Sequence, residues 1–206
     1  MDRFYATAFD VLVAHDAFVD KFVGDEVIGI FVPAVTEGLH AREAVNAGLE
    51  LLAATGHGSD EPWIRIVIGV NTGVVAYVGA VGTKEHVGFT ALGDEVNITA
   101  GLATAAGTGE LLATEAAVRA AGLLDRSLEC RTVALKGKSE PMTVAVVTLA
   151  AGVVPAASGV IVSHHSAAHG RKSMTHRLEA IVEGVIEIVG GFAITCDCSL
   201  HQPLAR

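Results

Sequence analysis

AFVDKFVGDEVIGIFVP, residues 17–33, alternates apolar and polar positions up to Gly24-Asp25 and then runs almost wholly apolar to Pro33. Alternation of period two marks a half-buried strand, and a Gly-Asp pair between two such runs is turn chemistry. The stretch predicts strand, tight turn, strand. Pro33 ends the second strand because it has no N–H to give a ladder.

Helices flank this hairpin. Phe4–Ala14 predicts a helix with Phe9, Leu12 and Val13 on one face and Tyr5 a turn earlier. Leu39–Ala54 predicts a second, whose Ala41, Ala44, Val45, Gly48, Leu49 and Leu52 form one apolar stripe. Beyond the loop GHGSDEP, Ile64–Asn71 and Val74–Val81 read as strands around Thr72-Gly73, and a turn at 82–85 leads into a short strand through Phe89. Thr90 or Asp94 opens a helix that Gly107-Thr108-Gly109 stops near Ala106. Glu110–Ala113 is a short strand, Thr114 caps a helix to Ala121, and Leu128–Leu135 and Met142–Leu149 are strands around Lys136-Gly-Lys138-Ser-Glu-Pro141. Helices and strands so interleaved give an α+β sheet domain ending near residue 150.

Composition narrows the function. With 51% hydrophobic residues a sizeable core forms, and a net charge of −9 argues against nucleic-acid binding through a general basic field, though not against a local nucleotide site. Cys130, Cys196 and Cys198 are too few and too uneven for a disulfide framework. The N-terminus has no signal-peptide pattern. Pro141–Gly170 lacks Asp, Glu, Lys and Arg, but glycines and Pro155 interrupt it and Met142–Leu149 reads better as a strand, so no membrane span is expected.

Asp25 and Glu26 occupy the hairpin tip. A carboxylate fixed there is placed to hold Mg²⁺, which takes one or two protein carboxylates beside substrate phosphates. On pattern alone, plain turn chemistry for Asp25 and a solvated strand lysine for Lys21 are the simpler readings.

Four segments, in order, carry a resemblance. VDKFVGDEVIGIF (19–31) is similar to the metal-binding hairpin of class III adenylate/guanylate (nucleotidyl) cyclase catalytic domains. IGVNTGVVAYVGAVG (68–82) resembles the paired strands that follow, FTALGDEVNITA (89–100) the second active-site segment, and LKGKSEP (135–141) the third. Diguanylate cyclases also put acidic residues at such a turn, but the later segments do not fit them. The resemblance implies a ferredoxin-like nucleotidyl cyclase fold, with an antiparallel-rich sheet and helices on one face. It implies that two domains pair, as a homodimer or with an intact cyclase domain, and make sites at their interface. Mg²⁺ or Mn²⁺, ATP and a cytoplasmic location follow from it.

Residue by residue, Asp25 matches a metal aspartate, Lys21 the lysine that recognises adenine, and Thr90 the second purine-recognition position, so the pair points to ATP. Asn97 matches the asparagine that orients the ribose, and Lys136 the lysine that contacts phosphates, with Lys138 a second choice. Two departures stand out. The family's arginine, one turn after Asn97, is Gly101 here, and nothing before Asp25 fits the family's first metal aspartate or the strand carrying it. That strand sits centrally in the family's sheet, so its absence predicts unpaired edges beside Phe18–Val23, with reduced stability or a partner chain filling the gap.

Residues 151–206 resemble nothing in the family and predict a solvated, partly disordered tail, with an apolar helical stripe (Leu178–Val189) in a helix near 176–189 that suits packing or dimerisation. His164, His165, His169, His176, Cys196, Cys198 and His201 lack standard zinc spacing. Three functions stay open: an adenylate cyclase domain making cyclic AMP, impaired by its departures; a non-catalytic module that dimerises or binds nucleotide; or a fragment of a longer cyclase.

Overall fold

The computed structural model describes residues 1–59, 61–73, 77–83, 86–124, 127–149 and 191–196; at 21–23, 77–83, 86–90, 92 and 191–196 the description is of the backbone. In chain order the elements are α1 (Asp2–Ala14), β1 (Phe18–Val23), β2 (Glu26–Ile30), α2 (His40–Ala54), β3 (Ile66–Asn71), β4 (Tyr77–Thr83), β5 (His86–Leu92), α3 (Asp94–Ala105), β6 (Leu111–Thr114), α4 (Glu115–Ala120), β7 (Glu129–Val133), β8 (Met142–Val147) and β9 (Gly191–Cys196). Every element expected before residue 150 is present, each displaced by a few residues at most. The expected cap on α4 is made: the Ala117 N–H donates to Thr114 Oγ1 at 3.3 Å.

Seven strands form the main sheet in the order β1-β2-β9-β3-β6-β8-β7, and β4 and β5 pair as a separate hairpin. Only β3 and β6 run parallel; the other pairings are antiparallel. The two faces of the main sheet take different helices. Ile66, Ile68 and Val70 of β3, Leu111 and Ala113 of β6 and Val147 of β8 are buried with Phe4, Ala8 and Leu12 of α1, with α2, and with Ala117 and Val118 of α4. The alternate residues, Leu112, Val144 and Val146, pack against Ile98 and Leu102 of α3.

Helices therefore cover both faces, which corrects the expected one-sided arrangement. Gly69 shows the reason. It points toward α3, and a Cβ there would lie 2.3 Å from the Thr99 carbonyl oxygen and 2.6 Å from the Ala103 nitrogen. With no side chain at Gly69, α3 seats its backbone directly on the second face.

A second correction concerns α1. Its buried residues are Phe4, Ala8, Val11 and Leu12, while Phe9 and Val13, expected on the packed face, are 47% and 40% exposed. The series 4, 8, 11, 12 and the series 5, 9, 12, 13 have the same helical spacing and share Leu12. The first is buried because Phe4, Ala8 and Val11 meet α2 and β3 in one core, while Leu12, common to both, fits over Gly29, its Cδ2 2.9 Å from where a Cβ would be.

A third correction concerns the expected gap in the sheet. Residues 191–196, assigned to a tail on sequence, form β9 between β2 and β3. The register sets Glu26 opposite Thr195 and Ile30 opposite Gly191 on one side, and Ile66 opposite Cys196 and Asn71 opposite Gly191 on the other. The central gap is thus filled by the chain itself, and it lies between β2 and β3, while β1 forms the edge of the described sheet. The stripe at 178–189, the tail histidines and Cys198 lie outside the described residues. No helix among the described residues is long and apolar enough to cross a membrane.

Candidate functional site

The β1–β2 turn is a two-residue loop, since Val23 and Glu26 pair directly. Gly24 takes φ +61°, the left-handed value that a first central residue of a II′ hairpin turn needs and that glycine supplies without strain. Asp25 follows, half-buried. The Tyr5 hydroxyl donates to the Gly24 carbonyl and ties the tip to α1. Lys21 stands opposite Ile28, just after a register shift between Val19 and Lys21 that leaves Asp20 as a bulge. Bulges bend and twist a strand locally, so the lysine position follows an irregularity rather than a regular ladder.

Thr90 lies on β5 opposite Gly79. The next residue, Ala91, is buried with Ile30 and Val32, and Phe18, Val35 and Val96 pack on that cluster. This small core holds β5 beside the start of β1 and the end of β2, and so brings the strands bearing Thr90 and Lys21 together. Gly93 then takes φ +151° and ψ 179°, a conformation open essentially to glycine alone, and starts α3. Asp94 and Glu95 occupy the first turn of α3, where negative charge suits the helix dipole.

Asn97 is exposed, and its backbone N–H donates to the Gly93 carbonyl at 3.4 Å. Gly101, one turn on, shares its face and lies against Leu135, whose Cδ2 would be 3.3 Å from a Cβ at that position. Leu135 is buried with Ile98 and Leu102. It anchors the β7–β8 loop on α3, and exposed Lys136 follows it in that loop. Lys138 bonds the Asp94 carboxylate, so it latches the loop to the start of α3. Asn97 and Gly101 thus share a face of α3 on which Leu135, the residue before Lys136, is packed, while Lys21 and Asp25 belong to the hairpin and Thr90 to the strand that the Ala91 cluster holds beside it.

Sequence reasoning missed the polar support beneath α3. Asn71, 3% exposed at the end of β3, donates from Nδ2 to Glu95 Oε2 at 2.5 Å and to the Glu95 carbonyl at 3.3 Å. Its Oδ1 accepts from Thr114 Oγ1 at 2.9 Å, and the Glu95 carbonyl also accepts from Thr99 Oγ1 at 2.8 Å. A buried amide needs its bonds satisfied, and here they join β3, β6 and the turn of α3 that carries Asn97. The signal was an asparagine ending the apolar run IVIGVN. Gly73 makes room for the same carboxylate, since a Cβ there would come within 2.5 Å of the Glu95 side chain.

Among the described residues no group of three His, Cys, Asp or Glu side chains is placed to hold a metal ion. Mg²⁺ does not need such a group, because it takes one or two carboxylates and keeps its other positions for water and phosphate oxygens. Asp25, half-buried at an anchored turn with Glu26 beside it, fits that use.

The adenylate and guanylate cyclase catalytic domain family matches residues 5–148. Adenylate cyclase 1 of Rhizobium meliloti is 32% identical over 108 residues, covering 50% of this chain and 16% of that protein. An uncharacterized protein of Mycobacterium bovis is 31% identical over 149 residues, 70% of this chain and 27% of that one. The chain therefore spans about a quarter or less of these relatives. Among solved structures, the guanylyl cyclase Cya2 is 27% identical with a TM-score of 0.60 over 69% of this chain and 75% of that one. The adenylyl cyclase CyaB from P. aeruginosa has the same identity and TM-score over 71% and 79%.

Proposed function

The chain belongs to the adenylate and guanylate cyclase catalytic domain family, and from that premise we propose that it binds ATP and converts it to cyclic AMP and pyrophosphate at a strongly reduced rate. The observation that supports this is the face of α3, where exposed Asn97 is followed one turn on by Gly101 packed against Leu135, the residue before exposed Lys136. Substrate groups are retained there, and a group for the transition state is not.

The roles follow from the positions. Lys21 and Thr90, on strands held together by the Ala91 cluster, recognise the adenine ring. Asn97 orients the ribose so that its 3′-oxygen attacks the α-phosphorus in line, the bond to the bridging oxygen breaks, pyrophosphate leaves and the hydroxyl proton is lost. Lys136 attracts the phosphate chain. Asp25 would hold Mg²⁺ or Mn²⁺, which when bound neutralises charge on the phosphates.

As in the pairing that the family resemblance implies, the site is built between two domains: a second copy or an intact cyclase domain supplies the complementary half. With ATP as substrate, the domain works in the cytoplasm. Gly101 offers no cation to the charge that develops on the phosphate, and loss of one preorganised donor costs on the order of 10² to 10³ in rate. The same observation favours a second function, that of a nucleotide-binding module that pairs with an intact cyclase and regulates it.

The test is nucleotide binding and cyclic nucleotide formation by the purified chain with Mn²⁺, alone and mixed with an intact homologue. Expected are ATP binding in preference to GTP, slow cyclic AMP formation by the chain alone, and a shift toward GTP in Lys21→Glu. Rapid turnover by the isolated chain would sink the impaired enzyme; a chain that binds neither nucleotide would sink both functions.

A further inference from the structure

One junction in the sheet depends on a strand distant in sequence. β2 and β3 do not pair with each other; β9 stands between them, antiparallel to both. It is the ladder through which the β1–β2 hairpin joins the rest of the sheet, and residues 150–190 separate it from the preceding strands. Its pairing with residues 26–30 and 66–71 closes the longest loops in the sheet. Loop closure makes such long-range contacts entropically costly, and they are not rewarded until the strand is in place.

The hairpin has an attachment of its own. Leu12 of α1 lies on Gly29, Val27 is buried in the α1–α2 core, and Tyr5 bonds Gly24. On the other side, β3 is held by its parallel ladder to β6 and by α3 seated on Gly69. Both flanks of the slot therefore have packing that does not run through β9, and they share the core formed with α1 and α2. Segments that open below the global unfolding free energy have this character: they leave as a unit from neighbours that remain packed.

We propose that the slot between β2 and β3 is a strand-docking site, that residues 191–196 are its occupant, and that this strand leaves and returns without unfolding the domain. Departure removes the ladder that fixes the hairpin bearing Lys21 and Asp25 in register with β3, leaving the two joined only through their side-chain cores. This last consequence rests on the nucleotide reading; the exchange of the strand does not.

Native-state hydrogen exchange on the full chain tests it. The amides of 191–196, and those of β2 and β3 that face them, should exchange together and at least about tenfold faster than those of β6 and β8. Exchange of 191–196 at the rate of β6 and β8 overturns the proposal. Ile194 pairs with both Val27 and Ile68, and proline is excluded from a central strand because it removes a ladder donor. In the full chain Ile194→Pro should lose protection at 191–196 and along the slot while β6, β7 and β8 keep theirs; global unfolding of this variant overturns the proposal. ATP binding in Ile194→Pro should weaken at least about tenfold if the hairpin positions nucleotide groups. Unchanged ATP affinity overturns the coupling, whereas a wild-type chain that binds no ATP overturns the nucleotide reading and leaves the exchange result standing.

Discussion

In the proposed function, Gly101 is the residue on which activity most depends. Alanine there gains about 1 kcal/mol of helix propensity over glycine, set against the 3.3 Å approach to Leu135 Cδ2, which a leucine relieves by a few tenths of an ångström. Arginine brings the same Cβ and adds a cation one turn from Asn97. Gly101→Arg is therefore expected to raise cyclic AMP formation by on the order of 10²-fold over Gly101→Ala, mostly in kcat. Equal rates for the two variants would show that the missing charge is not what limits the enzyme. Glu110 and Arg131 give a residue-scale prediction about pH. Arg131 forks onto the carboxylate at 2.9 and 2.8 Å, and the Gly107 N–H donates to it at 2.7 Å. These bonds, that of Arg131 foremost, hold the Glu110 carboxyl below its ordinary value of 4.5 against the opposing effect of burial. A depressed folded value stabilises the protein above the unfolded one and is lost as pH falls through the folded one. The urea midpoint of Arg131→Met should thus lie below that of wild type at pH 7, and the two should converge as pH drops below 4.5. A gap that stays constant with pH would mean that the arginine acts by packing alone.

At the scale of elements, the junction of α3 with β3 carries the arrangement of the site. The helix backbone rests on Gly69, and its first turn is bonded through Glu95 to Asn71 and on to Thr114. Gly69→Ala cannot be absorbed by a side-chain shift, because the atoms it meets are the backbone of Thr99 and Ala103. Overpacking of this kind costs about 1–3 kcal/mol, which for a domain of this size lowers Tm by roughly 2–10 °C. A variant melting at the wild-type temperature would show that α3 shifts freely on the sheet. This element was half legible: FTALGDEVNITA predicted a helix opened by Thr90 or Asp94, and the resemblance it carries named Asn97. Which face of the sheet it would cover was not readable, since Leu112 and Ala113 of β6 are both apolar and each face of that strand finds a helix.

For the whole molecule, the sequence alone established the element order to residue 149, the turn at Gly24-Asp25, the cap at Thr114 and the four segments that place the chain among cyclases. These are local properties: a φ value, a hydrogen-bonding side chain, or a period of 2 or 3.6 residues is written in consecutive positions. Candidate residues were legible where a motif named them. Their setting, with Leu135 packed on α3 and Lys138 committed to Asp94, was not. Only the tertiary structure decided which of two overlapping stripes on α1 is buried, which sheet face α3 takes, and that GFAITC at 191–196 lies between β2 and β3. The physical reason is common to all three. A stripe or a short apolar strand records that a surface must be covered, whereas the partner that covers it is chosen by shape at a distance in sequence. α2 and β3 cover Phe4, Ala8 and Val11, Gly69 makes room for α3, and two strand edges more than a hundred residues upstream accept β9.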